Sequence, residues 1–212
     1  MRKLCLFLFF LKCFFPIVCK AEGIYKFMEN ITGQVIGTFW NSQGQMSYIM
    51  GTTIRVNGGQ EGAYYLASLH DFRNWDKFQV SYKGGWENCI LSLQSITPDY
   101  ALLFCEDIKI DSWRISLSYP EKGKLTYSMY YLERKSVFDF GNILGYFPNY
   151  KEYESNMLAD LGASGGGVFS IDKELIGLIT ARFKKSHRML FQDIQDIKRD
   201  LNLRNFDFIL GR

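Results

Sequence analysis

Short apolar and aromatic runs recur roughly every 8–15 residues from Val35 onward, each closed by a polar or glycine-rich turn. Val35–Phe39, Tyr48–Val56, Ala63–Ser68, Phe78–Tyr82, Cys89–Leu93 and Tyr100–Phe104 read as strands. So do Trp113–Leu117, Leu125–Leu132, Gly167–Ser170 and Leu175–Ala181. Asn41-Ser42-Gln43-Gly44, Asn57-Gly58-Gly59, Lys83-Gly84-Gly85 and Pro120-Glu121-Lys122-Gly123 supply turns between them. No regular βαβ alternation is present, which argues against a parallel doubly wound sheet. Near the end, Phe191, Ile194, Ile197 and Leu201 repeat at three-to-four spacing and predict one helix. Asp193 and Asp196 lie near its start and Lys198 and Arg199 nearer its end, as a helix dipole favours. The pattern as a whole predicts an all-β sandwich or pair of barrels with a C-terminal helix.

The first 21 residues follow a different rule. A basic Met1-Arg2-Lys3 precedes an apolar run from Leu4 to Cys19, interrupted only by Lys12, and Cys19-Lys20-Ala21 ends on a small residue. This reads as a signal peptide cleaved after Ala21, leaving residues 22–212 as a secreted or periplasmic domain with no membrane attachment after cleavage. The alternatives are an uncleaved anchor, although the run is short for a span of about 20 apolar residues, and lipid attachment at Cys19, although Val18 before it is not small. The cut also changes the charge. Arg2, Lys3, Lys12 and Lys20 precede it, whereas all 22 acidic residues follow it. The mature chain is therefore one charge negative, and overall charge lends no support to nucleic-acid binding. Of the five cysteines, Cys89 and Cys105 remain after the cut. In an exported protein they read either as one disulfide or as two buried free thiols. The turn between their strands centres near Thr97, midway between them, which in an antiparallel hairpin places them opposite each other.

The sharpest chemical motif is Leu161-Gly162-Ala163-Ser164-Gly165-Gly166-Gly167. A serine between glycines lets a carbonyl approach its hydroxyl and lets backbone N–H groups face a developing oxyanion. Gly162-x-Ser164-x-Gly166 also fits the nucleophile elbow of α/β-hydrolases, whose acid and histidine follow the serine. Here the one later histidine, His187, stands in a basic stretch, Lys184 to Arg188, that reads as a solvated loop, and the parallel sheet is missing. The other arrangement places His, then Asp, then Ser. Tyr64 to Leu69 is an apolar strand running into His70, and Thr97-Pro98-Asp99 is a turn leading into the apolar Tyr100–Phe104. An Asp beside an apolar strand needs a partner, and an imidazole supplies one.

On the strand into His70, on Asp99-Tyr100-Ala101-Leu102-Leu103 and on Gly162-x-Ser164-Gly-Gly, the chain resembles the trypsin-like serine peptidases over roughly residues 30–205. Met50-Gly51-Thr52-Thr53-Ile54 resembles the family's strand pair ahead of its histidine. Leu175 to Thr180 resembles the strand that lines its primary pocket. The resemblance implies two six-stranded antiparallel barrels with the site between them and a C-terminal helix. It also implies Ser164 as nucleophile, His70 as general base and Asp99 as its orienting acid. Gly162 and Ser164 would offer the oxyanion N–H groups, and the Thr180 hydroxyl would support Asp99. The primary pocket would have Leu158 at its base and Arg182 near its rim. There Arg182 would either hold a substrate carboxylate or point to solvent, leaving the pocket to medium apolar residues. Ala163 stands where digestive members carry an Asp, and the His70–Asp99 gap is short. Both features match the compact bacterial branch, HtrA-like and glutamyl-endopeptidase-like. Ala67-Ser68-Leu69 before His70 departs from the usual Ala-Ala.

The expectation is thus an exported serine endopeptidase acting on protein or peptide substrates, with no metal and no organic cofactor. Two competing expectations are an inactive trypsin-fold binding protein and an unrelated exported β-barrel binder.

Overall fold

The computed structural model describes residues 21–40, 42–70, 75 and 77–211. The predicted signal segment, Ala21 apart, lies outside the described residues. A helix, α1, covers 21–31. Strands β1 (Thr32–Trp40), β2 (Met46–Gly59), β3 (Gly62–Ala67), β4 (Lys77–Tyr82), β5 (Gly85–Ser95) and β6 (Tyr100–Cys105) follow. After the two-residue β7 (Trp113–Arg114) come β8 (Leu125–Leu132), β9 (Lys135–Phe147), β10 (Glu152–Leu158), β11 (Gly167–Phe169), β12 (Leu175–Arg182) and β13 (Arg188–Asp193). Helix α2 (Ile194–Leu203) comes last.

The strands close into two six-stranded antiparallel barrels. The first runs β1-β4-β5-β6-β3-β2 and closes through β1–β2, with β7 added at the far end of β2. The second runs β10-β13-β12-β11-β8-β9 and closes on itself. Renumbered from its own first strand, each barrel has the same neighbour order, so the chain folds one topology twice.

Side-chain alternation divides the interior into three cores. Ala63, Tyr65 and Ala67 of β3 point into the first barrel, with Val35, Phe78, Val80 and Leu103. Tyr130, Ile143, Met157, Val168, Ile176, Met189 and Phe191 fill the second. The opposite faces meet between the barrels: Ile54, Leu66, Tyr100 and Leu102 pack with Met129, Phe169 and Leu178. Ile24, Met28 and Ile31 of α1 and Ile194, Ile197 and Leu201 of α2 seal this layer. The Tyr100 hydroxyl donates to Asp200 at 2.7 Å, fastening α2 to the strand that follows Asp99.

Cys89 and Cys105 form a disulfide. The β5–β6 register, Ile90↔Phe104, sets them opposite each other with Cα atoms 4.2 Å apart, as the hairpin symmetry predicts. Three strands, β9, β10 and β13, lie outside the predicted set. The β8–β9 hairpin turns on Glu133 and Arg134, both in the left-handed region (φ 48° and 76°), where Asn-Gly would have been the recognisable signal. Phe191 belongs to β13 rather than to the helix, which begins at Ile194 behind Asp193; the Asp193 carboxylate accepts from Gln195 N–H at 2.9 Å. The predicted strand Trp113–Leu117 shrinks to two residues, followed by a single parallel bridge from Leu117 to Leu175.

Candidate functional site

His70 follows the end of β3, and Asp99 sits in the β5–β6 turn. Because β3 and β6 are neighbours, with Ala67 opposite Ala101, strand pairing alone brings the two residues together. The contact is two-pronged. Asp99 Oδ1 accepts from the His70 backbone N–H at 3.0 Å, and Oδ2 faces Nδ1 of the ring at 2.5 Å. This geometry assigns the ring proton to Nδ1, which leaves Nε2 as the basic nitrogen. Ser68, fully buried, adds a third hold: its hydroxyl donates to Asp99 Oδ2 at 2.7 Å and lies 2.6 Å from Nδ1. Burial pushes the Asp99 carboxyl up, but the hydrogen bonds from His70 and Ser68 and the imidazole charge outweigh it and hold it below the ordinary carboxylate range. The Asp99 backbone N–H donates to Gln192 of β13 at 2.9 Å, tying this turn to the other barrel.

Ser164 comes from the second barrel, in the loop between β10 and β11. The loop is folded by two tight turns, Ala163 N–H to Asp160 carbonyl (3.0 Å) and Gly166 N–H to Ala163 carbonyl (2.9 Å). With the Ala163 carbonyl turned toward Gly166, the trans peptide aims the Ser164 N–H the opposite way. Among the described residues, neither that N–H nor the Gly162 N–H has a backbone partner, so both remain available to an oxyanion. Gly165 is required: its φ is +83°, and a Cβ there would stand 2.0 Å from the Thr52 carbonyl oxygen.

Thr52, in β2 of the first barrel and fully buried, clamps the loop that carries Ser164. Its N–H donates to the Ser164 carbonyl at 3.1 Å. Its hydroxyl donates to the Gly162 carbonyl at 2.7 Å and accepts from Tyr131 N–H at 2.8 Å. In the sequence Thr52 stands out only as part of a strand. Ser68 likewise stands out only as a departure from Ala. A polar side chain on the buried face of a strand was the signal available in both cases.

His70, Gly162, Ser164, Thr180 and Arg182 line one cavity of about 260 Å³, walled by Ala159, Ala163, Ile179 and Ala181. The remaining predicted residues are placed differently. The Thr180 hydroxyl does not reach Asp99; it donates to Glu152 Oε1, and Ser68 takes the supporting place instead. The Thr180 carbonyl accepts the Ser164 hydroxyl at 3.3 Å. Leu158 lies outside the cavity lining; it is 54% exposed and sits opposite Arg188 at the end of β10. Arg182 is at the rim but occupied: its guanidinium donates to Asp160 at 2.9 Å and packs against the His187 ring. His187 therefore belongs to this rim cluster, 3.5 Å from Asp160, rather than to a free basic loop.

Among the described residues, no group of three or more His, Cys, Asp or Glu is placed to hold a metal ion, and no helix is long and apolar enough to cross a membrane. The double barrel is consistent with the chymotrypsin-like, or trypsin-like, fold. No family model matches this sequence, and no curated protein does.

Proposed function

We propose that this protein is a serine endopeptidase that works outside the cytoplasm. The single observation behind this reading is that His70, held from behind by Asp99, and Ser164, contributed by different barrels, line the same cavity. In the mechanism, Nε2 of His70 takes the Ser164 proton as the hydroxyl attacks a peptide carbonyl. Asp99 stabilises the imidazolium that forms, and the N–H groups of Gly162 and Ser164 receive the oxyanion. The imidazolium then protonates the leaving amine, and water reverses the sequence on the acyl-enzyme. The cavity beside Ser164, walled by small and branched apolar side chains, suits a medium apolar residue before the cut. A substrate carboxylate would have to compete with Asp160 for Arg182. The Cys89–Cys105 disulfide supports export to an oxidising compartment.

One observation favours a second reading, an inactive binding protein of the same fold. The Ser164 hydroxyl rests on the Thr180 carbonyl, so attack requires it to turn toward His70. Labelling with a fluorophosphonate decides between the two. Peptidase function predicts stoichiometric modification of Ser164 that disappears in His70→Ala; an unreacted wild-type protein overturns it.

A further inference from the structure

Glu152 is a carboxylate that the steps above do not use. It stands half-buried at the start of β10. Its Oε1 accepts the Thr180 hydroxyl, while the Thr180 carbonyl accepts the Ser164 hydroxyl at 3.3 Å. Thr180, only 5% exposed, thereby joins Glu152 to the nucleophile through one residue. Glu152 also shares with Asp99 a cavity of about 380 Å³ between the β5–β6 turn and α2. Lys151, Asp196, Arg199 and Asp200 face the same space. Arg199 is paired with Asp196, and Asp200 is held by Tyr100 and Arg204, so their charges are largely answered locally. On the nucleophile side of His70, Asp160 and Arg182 answer each other, with His187 beside them.

We propose that Glu152 is a second carboxylate behind the triad, a positioning residue that fixes Thr180 under the Ser164 hydroxyl and reinforces Asp99 in stabilising the His70 imidazolium. Burial above all holds the Glu152 carboxyl above its ordinary range and the Asp99 charge adds to this, while the Thr180 hydrogen bond and the His70 charge offset it only in part. That mutual dependence is reciprocal: a group stabilised by imidazolium stabilises imidazolium in return. The consequence for acylation rests on the peptidase reading; the effect on the imidazole does not.

The test is the imidazole titration followed by NMR. The chain has two histidines, and a His187→Ala background leaves the His70 ring as the sole signal. Glu152→Gln keeps an acceptor for Thr180 and removes the charge. The expected result is a fall of roughly 0.5–1 pH unit in the His70 midpoint. The acid limb of fluorophosphonate labelling should move down by the same amount. Glu152→Asp, which keeps the charge, should restore the midpoint to within about 0.2 unit of the parent. An unmoved midpoint in folded Glu152→Gln, or an equal fall in Glu152→Asp, overturns the proposal. A moved midpoint in a protein whose parent never labels supports the role of Glu152 and removes the peptidase reading instead.

Discussion

The two barrels share a strand order and differ in what they need to hold their part of the site. In the first, His70 and Asp99 sit at the ends of neighbouring strands and are locked by Ser68, and Cys89–Cys105 covalently joins β5 to β6 at the far end of their hairpin. Its interior has room for Ala63 and Ala67. The second barrel, whose interior likewise sets two alanines, Ala159 and Ala163, beside Tyr130 and Phe191, presents Ser164 on a loop. That loop takes its final shape from Thr52, which belongs to the other barrel. The His70–Asp99 pair is thus built almost wholly within one barrel, whereas the Ser164 loop is aligned only when both are docked. Damage to the inter-barrel layer should therefore disarm Ser164 before it disturbs His70 and Asp99.

The largest expected effect tests the second barrel's contribution. Ser164→Ala should lower peptide hydrolysis by on the order of 10⁴–10⁶ while leaving the circular dichroism spectrum and the His70 titration unchanged. Undiminished hydrolysis in the pure variant would refute Ser164 as nucleophile.

Removing the covalent link tests the first barrel. The paired substitution Cys89→Ser and Cys105→Ser opens a loop of 16 residues and should cost about 3 kcal/mol in urea unfolding. Hydrogen exchange should rise first in β4, β5 and β6; a uniform rise across both barrels would deny them separate stability.

Thr52→Val keeps the shape of the clamp and removes its hydroxyl from two hydrogen bonds. The Gly162 carbonyl and the Tyr131 N–H then lose a partner, at about 1–3 kcal/mol. Ser164 labelling should slow by roughly 10–100-fold while the His70 midpoint stays in place. A midpoint that moved together with the labelling rate would show that the two halves of the site are not independent.

The pH dependence of stability sharpens the same point. The folded Asp99 carboxyl lies below its unfolded value, so its contribution is fully present above the unfolded value of about 3.9 and is lost as pH falls through the folded one. Asp99→Asn should flatten this acid-side loss in urea midpoints measured between pH 2 and 6, and an unchanged slope would deny Asp99 its share. Leu158→Ala should matter least. With its side chain exposed outside the cavity, kcat/KM should change by less than about two-fold for every residue tested before the cut.

Much of the first barrel was legible because period-two alternation and turn residues mark each strand, and because His70 and Asp99 flank strands that pair directly. Less of the second was legible. The β8–β9 hairpin uses Glu133-Arg134 where Asn-Gly would have announced a turn, and β13 runs into α2 without a break, so Phe191 reads as helical. Helix α1 carries a signal, Ile24, Met28 and Ile31 at four-three spacing, but it is short and follows directly on the apolar N-terminal run, whose stronger pattern masks it.

By itself the sequence determined the all-β class, the C-terminal helix, the glycine positions that let the chain fold around Ser164, and the opposition of Cys89 and Cys105. These follow from local patterns or from pairing between consecutive strands. Only the tertiary structure decided which distant polar groups meet: Thr52 on the Ser164 loop and Gln192 on Asp99 across the barrels, and Glu152 on Thr180 and Asp160 on Arg182 within the second barrel. Those partners are tens of residues or more apart along the chain. Which donor finds which acceptor depends on how each barrel closes and how the two dock, and neither period nor propensity encodes either.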